Sequence, residues 1–329
     1  MHSLSLIPRG CTPAPAATPL GASAAIPLRA SIQYRRRVRA WLLLLAVGAC
    51  SKEAATPGLA SRCCAVATGA APGAAAAALP AHGAYHDLGA ALVAIIPADA
   101  RVVGLGELHA RTDRARVTSS LATFTRALPV VADQLSDLVL ETWLVDPTCG
   151  KPAVQATAKV ETTMKRPEET KSEIAELAAA ARAAHIQPHA MTLTCADYAA
   201  ITPGDRELDP VAILTLTTHE LTRIATSAVA HRDKEPGHRP WIAVYGGALH
   251  NDRFPDQAVA EWSYAAEVDR MTGGHFVEID VIVPELAEAD PLMQRQPWIP
   301  LARAARDPAN PVLVWTRGER SFVVILPPT

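Results

Sequence analysis

Residues 102–113 read VVGLGELHARTD. A short apolar run, punctuated by Gly104 and Gly106, ends in Glu107 and then His109. Its length and composition suit a buried strand. Residues two apart in an extended segment point the same way, so Glu107 and His109 face one side together. A carboxylate is costly to bury unless it is paired or metal-bound. Its place at a strand end therefore raises the question of chemistry.

The same pattern recurs along the chain. Residues 137–143, DLVLETW, form a second apolar run carrying Glu141 near its end. Residues 241–247, WIAVYGG, form a third, with His250 following Gly246 and Gly247. Residues 189–197, HAMTLTCAD, read as a strand ending in Asp197, a weaker site position, and residues 275–283, HFVEIDVIV, as another. Helical spacing appears between them. Leu88, Leu92 and Ile95 share a face over 86–96. Asp113 is placed to cap a helix bearing Val117, Leu121, Phe124 and Leu128, broken or kinked at Pro129. Helices are expected over 168–185, over 210–231 with Pro210 in the first turn, and over 259–271. Residues 146–166 read as a polar connection, and the charged run 165–176 as a solvated helix face. Residues 312–326 hold two apolar runs around a charged, glycine-containing turn, a hairpin. Strands alternating with helices predict an α/β fold: a largely parallel central sheet flanked by helices, with a C-terminal hairpin. In such sheets, sites open beyond the carboxyl ends of the strands.

The chain has 329 residues, 49% of them hydrophobic and 5% aromatic, with a formal net charge of -2. Nothing in that balance points to a nucleic-acid partner. The N-terminal part has a different character. After a proline-rich stretch, Arg35, Arg36, Arg37 and Arg39 precede an apolar core over 41–47 that is too short to span a bilayer and suits a signal peptide. The core ends in LAVGAC, which resembles a bacterial lipobox and implies cleavage before Cys50 with lipidation of its sulfur. Ser51 in the next position, rather than aspartate, favours the outer membrane. The expected layout is a signal peptide with an N-terminal extension over 1–49, a disordered tether over 50–84, and an α/β domain over 85–329, held to the membrane of the bacterial envelope by the lipid. That compartment preserves disulfides. Cys149 and Cys195, both flanking the site side of the sheet, are expected to pair. The adjacent Cys63 and Cys64 do not suit pairing with each other.

Glu107, His109, Glu141 and His250 make two carboxylates and two histidines at strand ends. Together they suit a divalent metal such as Zn, Mn or Co, or, without metal, a general acid/base cluster. Each has an ordinary explanation when taken singly: a helix cap or surface charge for the glutamates, a satisfied loop residue for His250. His185 and His189, on either side of Pro188, read as loop residues, and His219 and His231 as solvated helix residues. Tyr85, Tyr245 and Tyr264 are possible iron ligands should the chain bind haem, with nothing to single one out.

GLGELHARTD, LVLETW and VYGGALHND, in that order, resemble the superfamily of ChaN-like haem-uptake lipoproteins, erythromycin esterases, TraB and Tiki proteins. The matched positions are Gly106, Glu107 and His109, then Glu141, then Gly247 and His250, over about residues 85–285. In the Tiki and esterase members the resemblance implies hydrolysis of a peptide or ester by the Glu/His cluster, with metal required in Tiki. Glu107 or Glu141 would then activate water while His109 and His250 hold metal or move a proton. In ChaN-like members it implies a lipid-anchored outer-membrane protein that binds haem without catalysis. The long helical insertion of the erythromycin esterases is not seen, which argues against a macrolide substrate. A lipoprotein that keeps the fold for a structural role is a third possibility.

Overall fold

Eight strands form one sheet: β1 (Ala84–Tyr85), β2 (Val102–Glu107), β3 (Leu135–Leu144), β4 (Gln187–Thr192), β5 (Trp241–Gly247), β6 (Phe276–Ile282), β7 (Val312–Gly318) and β8 (Ser321–Ile325). Their spatial order is β1-β7-β8-β6-β2-β5-β3-β4. The computed structural model describes residues 83–113, 117–202, 208–235 and 237–328. The expected signal peptide, lipobox Cys50 and nearly all of the tether fall on residues 1–82, outside the described residues.

From β8 through β6, β2, β5 and β3 to β4 every pairing is parallel. The hairpin β7–β8 and the short β1 are antiparallel. The α/β architecture with its C-terminal hairpin is thus as the apolar pattern predicts. All six residues of β2 and all seven of β5 are buried, which is why these runs read as continuously apolar rather than alternating.

Helices cover both faces. On one side α1 (Leu88–Ile95), α2 (Ser120–Val131) and α4 (Glu169–Ala183) pack Leu92, Phe124, Leu128 and Leu177 against Val103, Leu105 and Tyr245. On the other, α6 (Pro210–Arg232) and α8 (Ala265–Met271) pack Leu221, Ala225 and Val268 against Val102, Val244 and Phe276. The chain leaves β2 toward the first face and the neighbouring β5 toward the second. Adjacent strands whose connections part in this way open a crevice at their carboxyl ends, here between Glu107 and Gly247.

Several local expectations are corrected. Ser119, not Asp113, caps α2, its hydroxyl accepting from the Ala122 amide at 2.9 Å. Asp113 instead holds Arg111 and Lys165. Pro129 falls in the last turn of α2 and does not break it earlier. The polar connection is a helix, α3 (Gly150–Met164), whose buried face is only Ala153 and Ala156. Two alanines leave no large apolar stripe to read. The strand expected to reach Asp197 stops at Thr192. The next turn starts α5 (Cys195–Ile201), with Thr194 and Asp197 forming a reciprocal capping box. Asp197 is therefore a helix cap. Residues 259–271 divide into a 3-10 turn, Ala260–Trp262, and α8. His189 lies in β4 rather than a loop and meets the buried Asp137 at 2.7 Å. His219 and His231 are solvent-exposed, as expected.

Cys149 and Cys195 are bonded, with Cα atoms 5.1 Å apart across 46 residues of sequence. The bond joins the start of α3 to the start of α5 beside a small cluster of Ala153, Ala156, Tyr198 and Ile213. Little apolar area holds α3 otherwise, so the crosslink matters. Chain-entropy reasoning assigns a loop of this length about 4 kcal/mol, with measured losses commonly ~2–5 kcal/mol. A Cys149→Ser, Cys195→Ser protein should unfold at lower urea concentration by an equivalent amount. An unchanged midpoint would show that packing alone fixes α3.

Candidate functional site

Glu107 is 8% exposed at the end of β2 and is held from two sides. Its Oε2 accepts from the Tyr245 hydroxyl at 2.6 Å, and its Oε1 lies 2.9 Å from His109 Nδ1. Tyr245 is on β5 opposite Leu105, with its ring stacked on Phe124. Burial, then the charge of Glu107, raises the phenol well above its ordinary pKa, so the hydroxyl keeps its proton and donates.

The imidazole of His109 bridges to the next strand. Its Nε2 is 2.6 Å from Arg166 Nη2 and 3.5 Å from Glu141 Oε1. A guanidinium can only donate. In this arrangement Nε2 is therefore the acceptor, and Nδ1–H donates to Glu107. Burial and Arg166 both lower the proton affinity of His109, yet Glu141 and Glu107 outweigh them and its pKa lies above the ordinary value. The neutral ring belongs to the state in which Arg166 rests on Nε2. The carboxylates make the ring a stronger base once that contact opens.

Glu141 sits where the β3–β4 register shifts, between Leu140 and Trp143. Its Oε2 accepts the Gly247 amide, and its Oε1 is 3.4 Å from Arg166. Burial alone would raise this carboxyl, but His109, His250 and Arg166 hold it well below the usual carboxylate range. The Gly-Gly pair explains how the groups meet. A Cβ on Gly246 would lie 2.5 Å from Glu141 Oε2, and one on Gly247 would lie 3.0 Å from His109 Nε2. Only bare backbone lets the two side chains fold over the end of β5.

His250 occupies the single turn α7 (Ala248–Asn251) and is 4% exposed. Its Nδ1 is 2.9 Å from both Thr218 Oγ1 and the Trp262 carbonyl. The Thr218 hydroxyl is also 2.9 Å from the Leu214 carbonyl. The Trp262 carbonyl can only accept, so Nδ1–H of His250 is the donor to it. His250 reaches Glu141 through its field rather than by a hydrogen bond among the described residues. The structure thus joins Glu107, His109 and Glu141 directly and sets His250 beside them.

Sequence reasoning missed Arg166. It follows α3 in the charged run that reads as solvated, and no spacing marks it. The turn is docked from outside: the Thr112 amide donates to the Lys165 carbonyl at 2.8 Å, and Lys165 Nζ meets Asp113 at 3.0 Å. Lys165 itself adopts φ 51, closing α3 in the left-handed region.

A divalent ion would need converging lone pairs at ~2.0–2.2 Å. Here the Nε2 of His109 faces a guanidinium, Glu107 holds Tyr245 and His109, and Glu141 holds Gly247. Among the described residues no group of three or more His, Cys, Asp or Glu is arranged to hold a metal ion. As they stand, the residues do not fit a metal. They fit a carboxylate–imidazole–guanidinium network. Tyr245 and Tyr264 are buried, and the Tyr245 hydroxyl is engaged by Glu107.

Beside the network lies a cleft of about 510 Å3 whose lining includes Glu141, Arg166, Trp143, Met164, Met191 and Ile213. That volume is in the ~300–1,000 Å3 range of small-molecule sites.

On the opposite side of β2 lies a second polar group that the sequence did not reveal. A Cβ on Gly106 would collide with Asp280 Oδ1 and Asn251 Oδ1, both enclosed and both without a hydrogen-bond partner among the described residues. The Asn251 amide nitrogen is directed to the Gly104 carbonyl at 3.3 Å. Two acceptors then face one another, and a proton on Asp280 supplies the missing donor. Burial, followed by the charges of Glu278 and Asp252, raises Asp280 well above its ordinary value. A carboxyl whose folded pKa is raised contributes its full stability below its unfolded pKa of ~3.9 and loses it as pH rises through the folded value. Asp280→Asn supplies a permanent donor. It should stabilise the fold at pH 8 by about 1–3 kcal/mol, the cost of an unsatisfied buried polar group, and leave it nearly unchanged at pH 4. Denaturant titration at both pH values reads this directly; equal effects at the two would remove the proton from the account.

No family model matches the chain, and no curated protein matches it. The solved structure of the type III effector HopBA1 is 14% identical to it at a TM-score of 0.37, over 76% of this chain and 99% of that one. A likeness this loose carries no argument about fold or site.

Proposed function

We propose that this chain is an acid/base hydrolase of esters or amides, with His109 as the base. One observation carries the reading: a buried carboxylate fixes one imidazole nitrogen while the other meets a guanidinium that, with Glu141, lines a cleft. Glu107 orients the ring and Tyr245 holds Glu107. A substrate carbonyl entering from the cleft takes an N–H of Arg166 in place of Nε2, which polarises the carbonyl and frees the lone pair. Nε2 then removes a proton from water, and the resulting hydroxide adds to the carbonyl carbon. The tetrahedral oxyanion is held by Arg166, and Glu141 stabilises the imidazolium. Nε2–H passes its proton to the leaving oxygen or nitrogen as the C–O or C–N bond breaks, giving acid and alcohol or amine. Glu141, kept ionised by its neighbours, is too weak a base to activate water itself. The motif order Gly106-Glu107-x-His109, Glu141, Gly247-x-x-His250 supports the reading by its resemblance to hydrolytic members of the superfamily.

The proposed setting is the bacterial envelope, with the chain anchored through lipid on Cys50. The lipobox resemblance and the Cys149–Cys195 bond support it, since disulfides persist in oxidising compartments. Metabolic labelling with palmitate should mark the wild type and not Cys50→Ala; label retained in the variant would refute the anchor.

With an aryl ester as substrate, His109→Ala should lower kcat/KM by about 10²–10⁴, and Arg166→Ala by about 10²–10³. Because the base acts unprotonated, kcat/KM should rise with pH through an inflection above the ordinary histidine range. A pH-independent rate, or a rate surviving His109→Ala, would end the proposal.

A further inference from the structure

The cleft beside Arg166 has a composition that selects its occupant. Its wall carries Trp143, Met164, Met191 and Ile213, together with threonines such as Thr142, Thr157 and Thr217. At rest its two cations are engaged by other groups of the protein. Arg166 is engaged by His109 and Glu141, and Lys171 Nζ is paired with Glu161 Oε1 at 3.0 Å, while Glu168 adds a further carboxylate to the lining. Thr157 Oγ1, on α3 in the cleft wall, is enclosed and has no hydrogen-bond partner among the described residues. A helical threonine ordinarily returns its hydroxyl to the carbonyl four residues back, as Thr162 does to Ala158 at 2.9 Å on the same helix. Thr157 does not, and a buried hydroxyl without a partner is unfavourable until something supplies one.

We infer that the cleft takes the acyl part of an uncharged ester or amide: a medium-length apolar chain bearing one hydrogen-bonding group for Thr157, its carbonyl set at Arg166. This rests on the hydrolase reading for the reaction but not for the binding. Trp143 and Ile213 then act as specificity determinants. A terminal carboxylate on the chain would meet apolar walls and repelling glutamates.

The test uses the full chain with two readouts. For catalysis, p-nitrophenyl acetate, butyrate and hexanoate are compared with the mono-p-nitrophenyl ester of glutarate, which ends in a carboxylate. Each buried methylene is expected to raise kcat/KM about threefold to fourfold, the equivalent of ~0.8 kcal/mol, and the glutarate ester should fall at least tenfold below the hexanoate. Thr157→Val, which removes the hydroxyl and keeps the shape, should raise kcat/KM several-fold for the all-alkyl hexanoate. For binding, the neutral fluorophore N-phenyl-1-naphthylamine should bind saturably to wild type and to His109→Ala. Val160→Trp, or Thr170→Trp should the first fail to fold, fills the cleft and should weaken binding at least tenfold. If no ester is hydrolysed but the fluorophore binds and is displaced by the filling variant, the hydrolase reading fails and the cleft assignment stands. Hydrolysis indifferent to acyl length and charge, or fluorophore binding indifferent to the filling variants, overturns the assignment while leaving the hydrolase reading intact.

Discussion

A carboxylate cannot stand alone at the end of an inner strand. Glu107 is enclosed by sheet and helix, and an isolated ionised carboxyl there is strongly disfavoured. Two donors answer it: the Tyr245 hydroxyl from the next strand and Nδ1–H of His109 from its own. Much else follows from that pairing. The imidazole is fixed with Nε2 outward, Glu141 and Arg166 gather on it, and the bare backbone of Gly246 and Gly247 gives them room. Glu141 and Arg166 belong both to the network and to the lining of the cleft.

The parts of this arrangement that were legible in the sequence share a physical cause. The strands at 102, 137, 241 and 276 are buried on both faces, so their apolar runs stand out. Glu107, Glu141 and His250 interrupt or follow such runs, and a polar residue in that position has few ordinary reasons to be there. The Cys149–Cys195 bond was legible because both residues border the same end of the sheet. The hairpin at the C-terminus announced itself by two apolar runs about one turn.

What stayed hidden was set by tertiary contact. α3 buries only Ala153 and Ala156, which give no periodic signal, so a helix passed for a connection. Arg166 lies among Lys165, Glu168 and Lys171, residues that do face solvent, and only the docking of the turn onto Thr112 and Asp113 brings it inward. Asp197 follows an apolar run and so reads as a strand-end carboxylate, but the strand stops at Thr192 and Asp197 forms a capping box with Thr194. The role of Tyr245 depends on register, which pairs it with Leu105 and so sets it beneath Glu107. In this arrangement the positive charge that meets His109 and Glu141 is Arg166, from elsewhere in the chain.

The central claim is that Glu107 fixes the tautomer of His109 and Arg166 covers its Nε2. Nitrogen-15 NMR of the histidine side chains, with His109→Gln for assignment, tests it most directly. Above the pH at which the His109 ring loses its proton, the expected species is the Nδ1–H tautomer, and Arg166→Ala should raise the His109 pKa further, since the guanidinium lowers it. An Nε2–H tautomer, or a titration unmoved by Arg166→Ala, would contradict it.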